Sequence, residues 1–243
     1  MVLGQERRLE RPLVALLLVV LAPLSGLTSC RSIPNPYGLK RGPYLQFVTP
    51  DTVWVIWDTR EAEPSRVEYG PNEALDYIEE DSRPTVHHAV LLAGLSPYRV
   101  YRYRVGDTPV FSFRSGADQA QQRFRFVVVG DTQTYHDRHR AMIEEMLKVN
   151  PDWMIHLGDM TEHGESSGQW DDFFSIEAPL LATTPSIATI GNHQRDSMNY
   201  YDAYHLPGNE HWYSYTYGNA RFVCLEGDGY PAGAPPYTDE ELV

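Results

Sequence analysis

Three apolar runs in the second half of the chain each end in glycine followed by a polar, metal-compatible side chain. The runs and their ends are 124–129 with Gly130-Asp131, 153–157 with Gly158-Asp159, and 187–190 with Gly191-Asn192-His193. Short apolar runs rich in β-branched residues predict buried strands of a parallel sheet. Ligands of open α/β sheets bind outside the carboxyl ends of the strands. The pattern therefore predicts that these polar side chains share one rim, and oxygen and imidazole groups on a rim suggest a metal site.

Between these strands the apolar period changes to that of a helix. Residues 138–149 carry apolar side chains on one side and are followed by Asn150-Pro151, which predicts an amphipathic helix that ends there. Residues 168–180 predict a second helix. The order strand, helix, strand predicts a right-handed βαβ unit, so residues 123–243 are predicted to be an α/β domain.

Residues 41–116 carry the two-residue period of strands instead. Strands are predicted at 52–58, 65–70, 87–92, 98–105 and 110–113. Short strands at this spacing predict a small β-sandwich. The small polar segment 117–122 is predicted to link it to the α/β domain. His87 and His88 are adjacent, so on a strand they would point to opposite faces and be poor joint metal ligands.

The segment after the third apolar run is rich in tyrosine. Residues 211–217 and 221–225 alternate like strands, and Gly218-Asn219 between them predicts a hairpin turn. Cys224 lies in the second strand and is expected to be a small buried hydrophobe. His205 and His211 do not follow an apolar run, so they are interpreted as non-ligands. Thr238, followed by three acidic residues, predicts the start of a helix.

The N-terminus has the pattern of an export signal. Three arginines precede an apolar run, Leu13–Leu21, that is short for a membrane span. Leu27-Thr28-Ser29-Cys30 resembles a bacterial lipobox, so residues 1–29 are predicted to be a lipoprotein signal peptide and Cys30 the acylated residue. An ordinary secretory leader or an uncleaved anchor are the alternatives. Residues 30–40, with two prolines and a glycine, are predicted to be a tether.

Composition narrows the classes of partner. The 243 residues correspond to one or two domains, and the formal net charge is −13. An acidic chain does not attract a nucleic-acid backbone through its net field, so no nucleic-acid partner is expected. The chain has two cysteines, and if Cys30 is lipidated no disulfide can form.

The order Gly-Asp, Gly-Asp, Gly-Asn-His, at intervals of 28 and 33 residues, resembles the calcineurin-like metallophosphoesterase superfamily. With a β-rich segment placed before it, the arrangement most resembles the purple acid phosphatases. Residues 41–116 are similar to their fibronectin type III-like N-terminal domain, including Gly94–Pro97 followed by Tyr101. The implied fold is a β-sandwich followed by an α/β metallophosphoesterase domain, present here in its first part only.

The resemblance implies two metal ions, drawn from Fe, Zn and Mn, that hydrolyse a small phosphate ester. It implies that Asp131 binds the first metal, that Asp159 bridges both, and that Asn192 binds the second through its amide oxygen. His193 would be a catalytic residue and not a ligand: it would hydrogen-bond the phosphate, stabilise charge in the transition state, or protonate the leaving alkoxide. Thr132 is a further candidate for substrate contact. His156, inside the strand before Asp159, is expected to be a packed core residue.

The sequence departs from the family pattern at several positions. Gln133 stands where many metallophosphoesterases have a histidine ligand, and Gln194 stands where an acid is frequent. Glu162 stands where purple acid phosphatases have tyrosine; it either supplies an oxygen to the first metal or is solvated. No Gly-His-any-His motif follows, so the domain is expected to be truncated and the fragment to have little activity.

Two functions remain open from the sequence. The first is an exported, lipid-anchored phosphoesterase of the bacterial cell envelope. The second is a non-catalytic cell-surface binding or scaffold protein with a degenerate phosphoesterase domain, which the residues at 133, 162 and 194 would favour. The metal pair and the choice between monoester and diester stay unassigned.

Overall fold

The computed structural model describes residues 32–225. They form an eight-stranded curved sheet, a two-stranded hairpin and three helices. In chain order the elements are β1 (Arg41–Gln46), β2 (Thr52–Gly70), β3 (Tyr77–Ala93), β4 (Val100–Val105), β5 (Phe111–Arg114), β6 (Phe126–Val129), α1 (His136–Val149), β7 (Trp153–His156), α2 (Ser167–Leu181), β8 (Ser186–Ala188), α3 (Met198–Ala203), β9 (Tyr213–Tyr217) and β10 (Ala220–Cys224).

The large sheet runs through both halves of the described chain. Its order is β5-β4-β2-β1-β8-β7-β6, and β3 pairs with β2. The antiparallel N-terminal strands meet the parallel ones where β1 pairs with β8, through Gln46 and Ser186. The predicted order, a β-rich N-terminal part followed by an α/β part, is confirmed. The two parts are joined by one continuous curled sheet, which the sequence pattern did not indicate.

The N-terminal strands are longer than predicted. The predicted strands 52–58 and 65–70 are two parts of β2, and 87–92 is the end of β3. The polar residues between them suggested a break, but β2 and β3 continue their pairing across register shifts near Glu63, as bulges allow. Strand β1 was missed, because Gly42-Pro43 inside it reads as a turn signal.

Two hydrogen bonds hold the corner before β4. The backbone N–H of Ser96 donates to the hydroxyl of Tyr101 at 2.9 Å. The hydroxyl of Ser115 ties the same loop to the end of β5, because it donates to the carbonyl of Ser96 at 2.6 Å. The resemblance of this part to fibronectin type III stays a prediction.

The α/β half follows the predicted pattern closely. Helices α1 and α2 begin one or two residues before the predicted positions and end within one residue of them. The parallel registers pair Val129 with His156 and His156 with Ala188. Since these residues stand at or near the carboxyl ends of the three strands, the loops that follow leave the sheet at one level.

The hairpin β9–β10 covers the sheet through an aromatic cluster. Trp153 of β7, 1% exposed, contacts Tyr215 and Phe222 with ring centres 5.0 and 4.7 Å apart. The turn at Gly218-Asn219 and its two strands were predicted and are confirmed. Cys224 is buried in β10, which agrees with its predicted role as a small hydrophobe.

The segment before β1 lies against the α/β half. The N–H of Ile33 donates to Asp172 Oδ1 at 2.6 Å, and Asn35 Nδ2 donates to the carbonyl of Gly42 at 2.8 Å. The predicted domain boundaries, the tether included, stay predictions. The predicted leader with Cys30, and the helix start at Thr238, lie outside the described residues. Within 32–225 no helix has both the length and the apolar character needed to cross a membrane.

Candidate metal centre

The loops after β6 and β7 are joined by backbone hydrogen bonds. The N–H of Asp131 donates to the carbonyl of Gly158 at 3.2 Å. The N–H groups of Thr132 and Gln133 both donate to the carbonyl of Asp159, at 2.9 and 3.1 Å. The first and second Gly-Asp motifs are therefore neighbours, as the sequence predicted.

Both aspartates adopt the same uncommon backbone conformation. Asp131 has φ of 56° and Asp159 has φ of 55°, a region that residues other than glycine seldom occupy. Such a conformation costs of order 1–3 kcal/mol and persists where the surroundings hold it, often at functional sites. Repetition at two equivalent strand ends indicates that the loops are built to aim these side chains.

The third motif closes onto the second. The backbone N–H of His193 donates to Asp159 Oδ1 at 3.1 Å. A Cβ atom on Gly191 would lie 2.2 Å from the same oxygen and 2.4 Å from the nitrogen of Asp159. Glycine at 191 thus permits the close approach. Asn192 stands between these two contact points and is exposed.

The side chain of Gln194 connects the loop that contains Asp159 to the loop that contains Gly191. Its side chain is fully buried, and Oε1 accepts hydrogen bonds from the N–H of Asp159 at 2.8 Å and of Gly191 at 3.1 Å. Nε2 faces the carbonyl of Thr161 at 3.4 Å. An amide satisfies both environments, because it offers an acceptor to the N–H groups and a donor to the carbonyl. Sequence reasoning noted this position only as a missing acid.

His193 is oriented by the loop that contains Glu162. Nδ1 lies 2.9 Å from the carbonyl of Glu162 and 3.9 Å from its carboxylate. A carbonyl accepts, so Nδ1 carries the proton. This backbone hydrogen bond, with the charges of Asp159 and Glu162, raises the pKa of His193 above its ordinary value. The ring is therefore suited to carry positive charge and to donate from Nε2.

The side chains of Glu162 and Thr132, the other residues predicted for the site, differ in their exposure to solvent. Glu162 is 42% exposed at its side chain. Thr132 is only 3% exposed, and its hydroxyl lies 3.0 Å from His156 Nε2. The structure thus gives the Thr132 side chain an inward partner and does not favour a substrate contact for it.

A buried polar layer lies behind the first motif. His156 is 1% exposed, in agreement with its predicted place in the core. Burial lowers its pKa to about 4, so the ring is neutral. Beside it, His139 Nε2 and Glu177 Oε1 lie 2.8 Å apart, both buried. No pattern in the sequence predicts this last pair, because its members lie on two different helices.

The donors present suit a cation that prefers oxygen. Carboxylate and amide oxygens favour Mg, Mn and similar ions. In addition, the amide oxygen of Gln133, two residues after Asp131, is buried and has no hydrogen-bond partner in the described chain. Between residues 32 and 225 no group of three or more His, Cys, Asp or Glu is positioned to hold a metal.

Two family comparisons match adjoining parts of the chain. Residues 41–128 match "Purple acid Phosphatase, N-terminal domain", and residues 124–240 match "Calcineurin-like phosphoesterase". Together they extend over both halves of the continuous sheet.

Individual proteins agree with these matches. A "Probable inactive purple acid phosphatase 27" and a "Probable purple acid phosphatase 20", both from Arabidopsis thaliana, are 26% and 25% identical over 59% and 64% of this chain. A purple acid phosphatase, PPD1, from yellow lupin (Lupinus luteus) seeds has a similar fold, with a TM-score of 0.61 and 20% identity over 76% of this chain. The chain spans only 30%, 39% and 45% of these three proteins, in that order.

The two Gly-Asp loops and the Gly-Asn-His loop meet at one edge of the sheet, within the residues that match the calcineurin-like phosphoesterases. The chain thus carries a purple acid phosphatase N-terminal domain, residues 41–128, followed by a calcineurin-like phosphoesterase domain, residues 124–240.

Proposed function

We propose that the protein hydrolyses small phosphate esters at a dinuclear metal centre whose described part comprises Asp131, Asp159 and Asn192. The observation that carries the proposal is the direct hydrogen bonding of the three motif loops at Asp159. The first loop donates to the backbone carbonyls of Gly158 and Asp159, and the third loop donates to the Asp159 carboxylate. Family membership supports phosphate ester hydrolysis in general.

The three oxygen ligands have distinct proposed tasks. Asp131 would bind one ion, Asn192 the other, and Asp159 both. Two bound metal ions of this kind, here Fe, Zn or Mn, clamp phosphoryl oxygens and make hydroxide available near neutral pH. Glu162 is half-exposed on the same rim and is retained as a candidate fourth oxygen.

His193 has a separate role in the proposal. Its Nδ1–H is held by the carbonyl of Glu162, which leaves Nε2 as the nitrogen that can meet a phosphate. A raised pKa favours the charged ring. In that form Nε2 donates a hydrogen bond to a phosphoryl oxygen and can pass its proton to the departing alkoxide.

Export and lipid anchoring through Cys30 are also proposed. The support is the lipobox-like sequence Leu27–Cys30 after an apolar run. If the proposal holds, the wild-type protein partitions into the membrane fraction of a bacterial host and incorporates labelled palmitate, whereas Cys30→Ser does neither. Equal partitioning of the two would contradict it.

A non-catalytic surface protein is the second candidate. Gln133, Glu162 and Gln194 depart from the catalytic pattern, and a relative is itself named a probable inactive phosphatase. The structure gives Gln194 a specific structural task, which weakens its value as a sign of degeneration.

The experiment compares wild type with His193→Gln at the protein's full natural length. We expect metal-dependent hydrolysis of a chromogenic phosphate ester by the wild type. In the variant kcat should fall about a hundredfold, while bound metal per chain stays unchanged because His193 is not a ligand. Absence of hydrolysis with Mn, Zn and Fe alike would favour the scaffold. Loss of metal together with activity would contradict the assigned role of His193.

A further inference from the structure

A second pair of histidines lies in contact away from the three motif loops. His87 on β3 and His205, just after α3, have ring centres 5.9 Å apart and planes inclined by 30°. The Nε2 atoms of both rings are out of contact with solvent and have no hydrogen-bond partner in the described chain. Two buried imidazole nitrogens without partners are costly unless something binds them.

Each of the two histidine rings has a further contact that fixes its position. His87 Nδ1 lies 2.7 Å from Asp58 Oδ1, and Asp58 is in turn 3.5 Å from the guanidinium of Arg41. His205 stacks on Trp54 at 5.2 Å. A carboxylate on the second ring nitrogen is the usual partner of a metal-bound histidine, because it fixes the tautomer and leaves the outer nitrogen free to coordinate.

The separation of the rings fits coordination of a shared ion. Metal–nitrogen bonds of about 2.0–2.1 Å place the centres of two imidazoles on one ion about 5–6 Å apart, and the observed 5.9 Å lies within that range. Burial and the neighbouring His87 also lower the pKa of His205, so that ring stays neutral near pH 7. Neutral imidazoles select zinc, copper and nickel over magnesium or calcium.

The cavity beside His87 leaves space for an ion, and the positive and negative side chains that line it are equal in number. A cavity of about 320 Å³ is lined by His87, Asp58 and Asp202. Lys40 and Arg41 also line it; the charge of Arg41 is offset by Asp58 and Asp171. Asp202 is then the carboxylate of this lining that remains to accompany a cation.

We propose that Nε2 of His87 and Nε2 of His205 bind a divalent transition-metal ion, with zinc as the probe. The ion would link β3 in the N-terminal half to the segment after α3 in the phosphoesterase half. It is a structural site, distinct from the three motif loops, and it does not depend on the proposed function.

Calorimetric titration of the chelator-treated full chain with Zn²⁺ tests the site. The Asp159→Asn variant, altered only at the motif loops, should retain zinc binding and a zinc-dependent rise in melting temperature. His87→Gln and His205→Gln preserve size and polarity. Added to the Asp159→Asn protein, each should weaken zinc binding about tenfold or more and abolish the zinc-dependent rise in melting temperature. Circular dichroism checks that the variants fold.

Copper(II) electron paramagnetic resonance on the Asp159→Asn protein supplies a second readout. Coupling to imidazole nitrogens is expected, and it should disappear in the Asp159→Asn/His87→Gln/His205→Gln protein. The proposal is overturned if both glutamine variants, made in the Asp159→Asn protein, bind zinc as the Asp159→Asn protein does, or if Asp159→Asn alone removes all zinc binding.

Discussion

Gln194 is the single residue on which the geometry of the motif loops depends most. Its Oε1 is the acceptor for the N–H groups of Asp159 and Gly191, and both donors belong to loops that carry proposed ligands. Replacement by alanine leaves two backbone donors without their acceptor, which costs of order 1–3 kcal/mol for each buried group.

We therefore expect Gln194→Ala to lower the free energy of unfolding by about 3 kcal/mol, measured by urea denaturation. Gln194→Glu is the matched control. It keeps an oxygen for the two N–H groups but sets a second oxygen against the carbonyl of Thr161, so a smaller loss is expected. A Gln194→Ala protein as stable as the wild type would show that the amide does not hold the loops.

His156 gives a pH dependence whose sign follows from its burial. Its pKa is lowered to about 4 from the ordinary 6.5. As the pH falls from 6.5 to 4, the unfolded chain takes up a proton that the folded chain does not, so stability is lost across that window and is fully present above it. The contribution is about 3 kcal/mol.

Urea denaturation of wild type and His156→Gln from pH 4 to pH 8 measures this contribution of His156 to the free energy of unfolding. Glutamine keeps a polar atom near Thr132 but does not titrate. The wild type should lose more stability than the variant between pH 6.5 and pH 4, and the two curves should run parallel above pH 7. Parallel curves throughout would contradict the assignment.

At the residue scale, the sequence predicted the loop ligands but not what supports them. Asp131, Asp159 and Asn192 follow strand-ending glycines, a local signal. Gln194 and the His139–Glu177 pair act across loops and helices, and such contacts leave no period in the sequence. The substrate contact of Thr132 stays a prediction, since its buried hydroxyl lies 3.0 Å from His156 Nε2.

At the scale of elements, Trp153 connects strand β7 to the hairpin β9–β10. It contacts Tyr215 and Phe222 on the hairpin, and its indole N–H has no partner in the described chain. Trp153→Ala should lower the free energy of unfolding by about 3–5 kcal/mol. Trp153→Phe should cost less, because phenylalanine keeps a ring in the cluster and no hydrogen bond is lost. Equal losses would show that the cluster is not packed as described.

Helices and strands were predicted best where the repeating pattern of apolar residues extends over many positions. Helices α1 and α2 and the β9–β10 hairpin were found almost at their bounds. β2 was divided and the first part of β3 was missed, because bulges and an internal proline resemble turns in the sequence. β1 was missed for the same reason.

At the scale of the whole molecule, the N-terminal strands and the phosphoesterase strands share one sheet. Buried tyrosine hydroxyls reinforce the join: Tyr103 donates to the carbonyl of Ala182 at 2.8 Å and Tyr215 to that of Val48 at 2.7 Å. Nothing local in either segment predicts this pairing, since it depends on residues far apart in the chain.

We expect a single cooperative transition in scanning calorimetry. Tyr103→Phe should lower the melting temperature by about 2–4 °C, the shift that corresponds to one lost hydrogen bond of about 1 kcal/mol in a chain of this size. The transition should remain single. Two separated transitions in the wild type would mean that the halves fold independently.

Metal-dependent hydrolysis at the motif loops is tested most directly by an enzyme assay. The rate of hydrolysis of a chromogenic phosphate monoester is measured as Mn, Zn or Fe is added. The wild type and Asp159→Asn are compared at full natural length. Asparagine retains the oxygen that accepts from the N–H of His193, so the loops should keep their shape while the bridging charge is lost. The account predicts metal-dependent turnover by the wild type and a loss of about a hundredfold or more in the variant. Equal turnover by both proteins, or none by the wild type with any of the three metals, would contradict it.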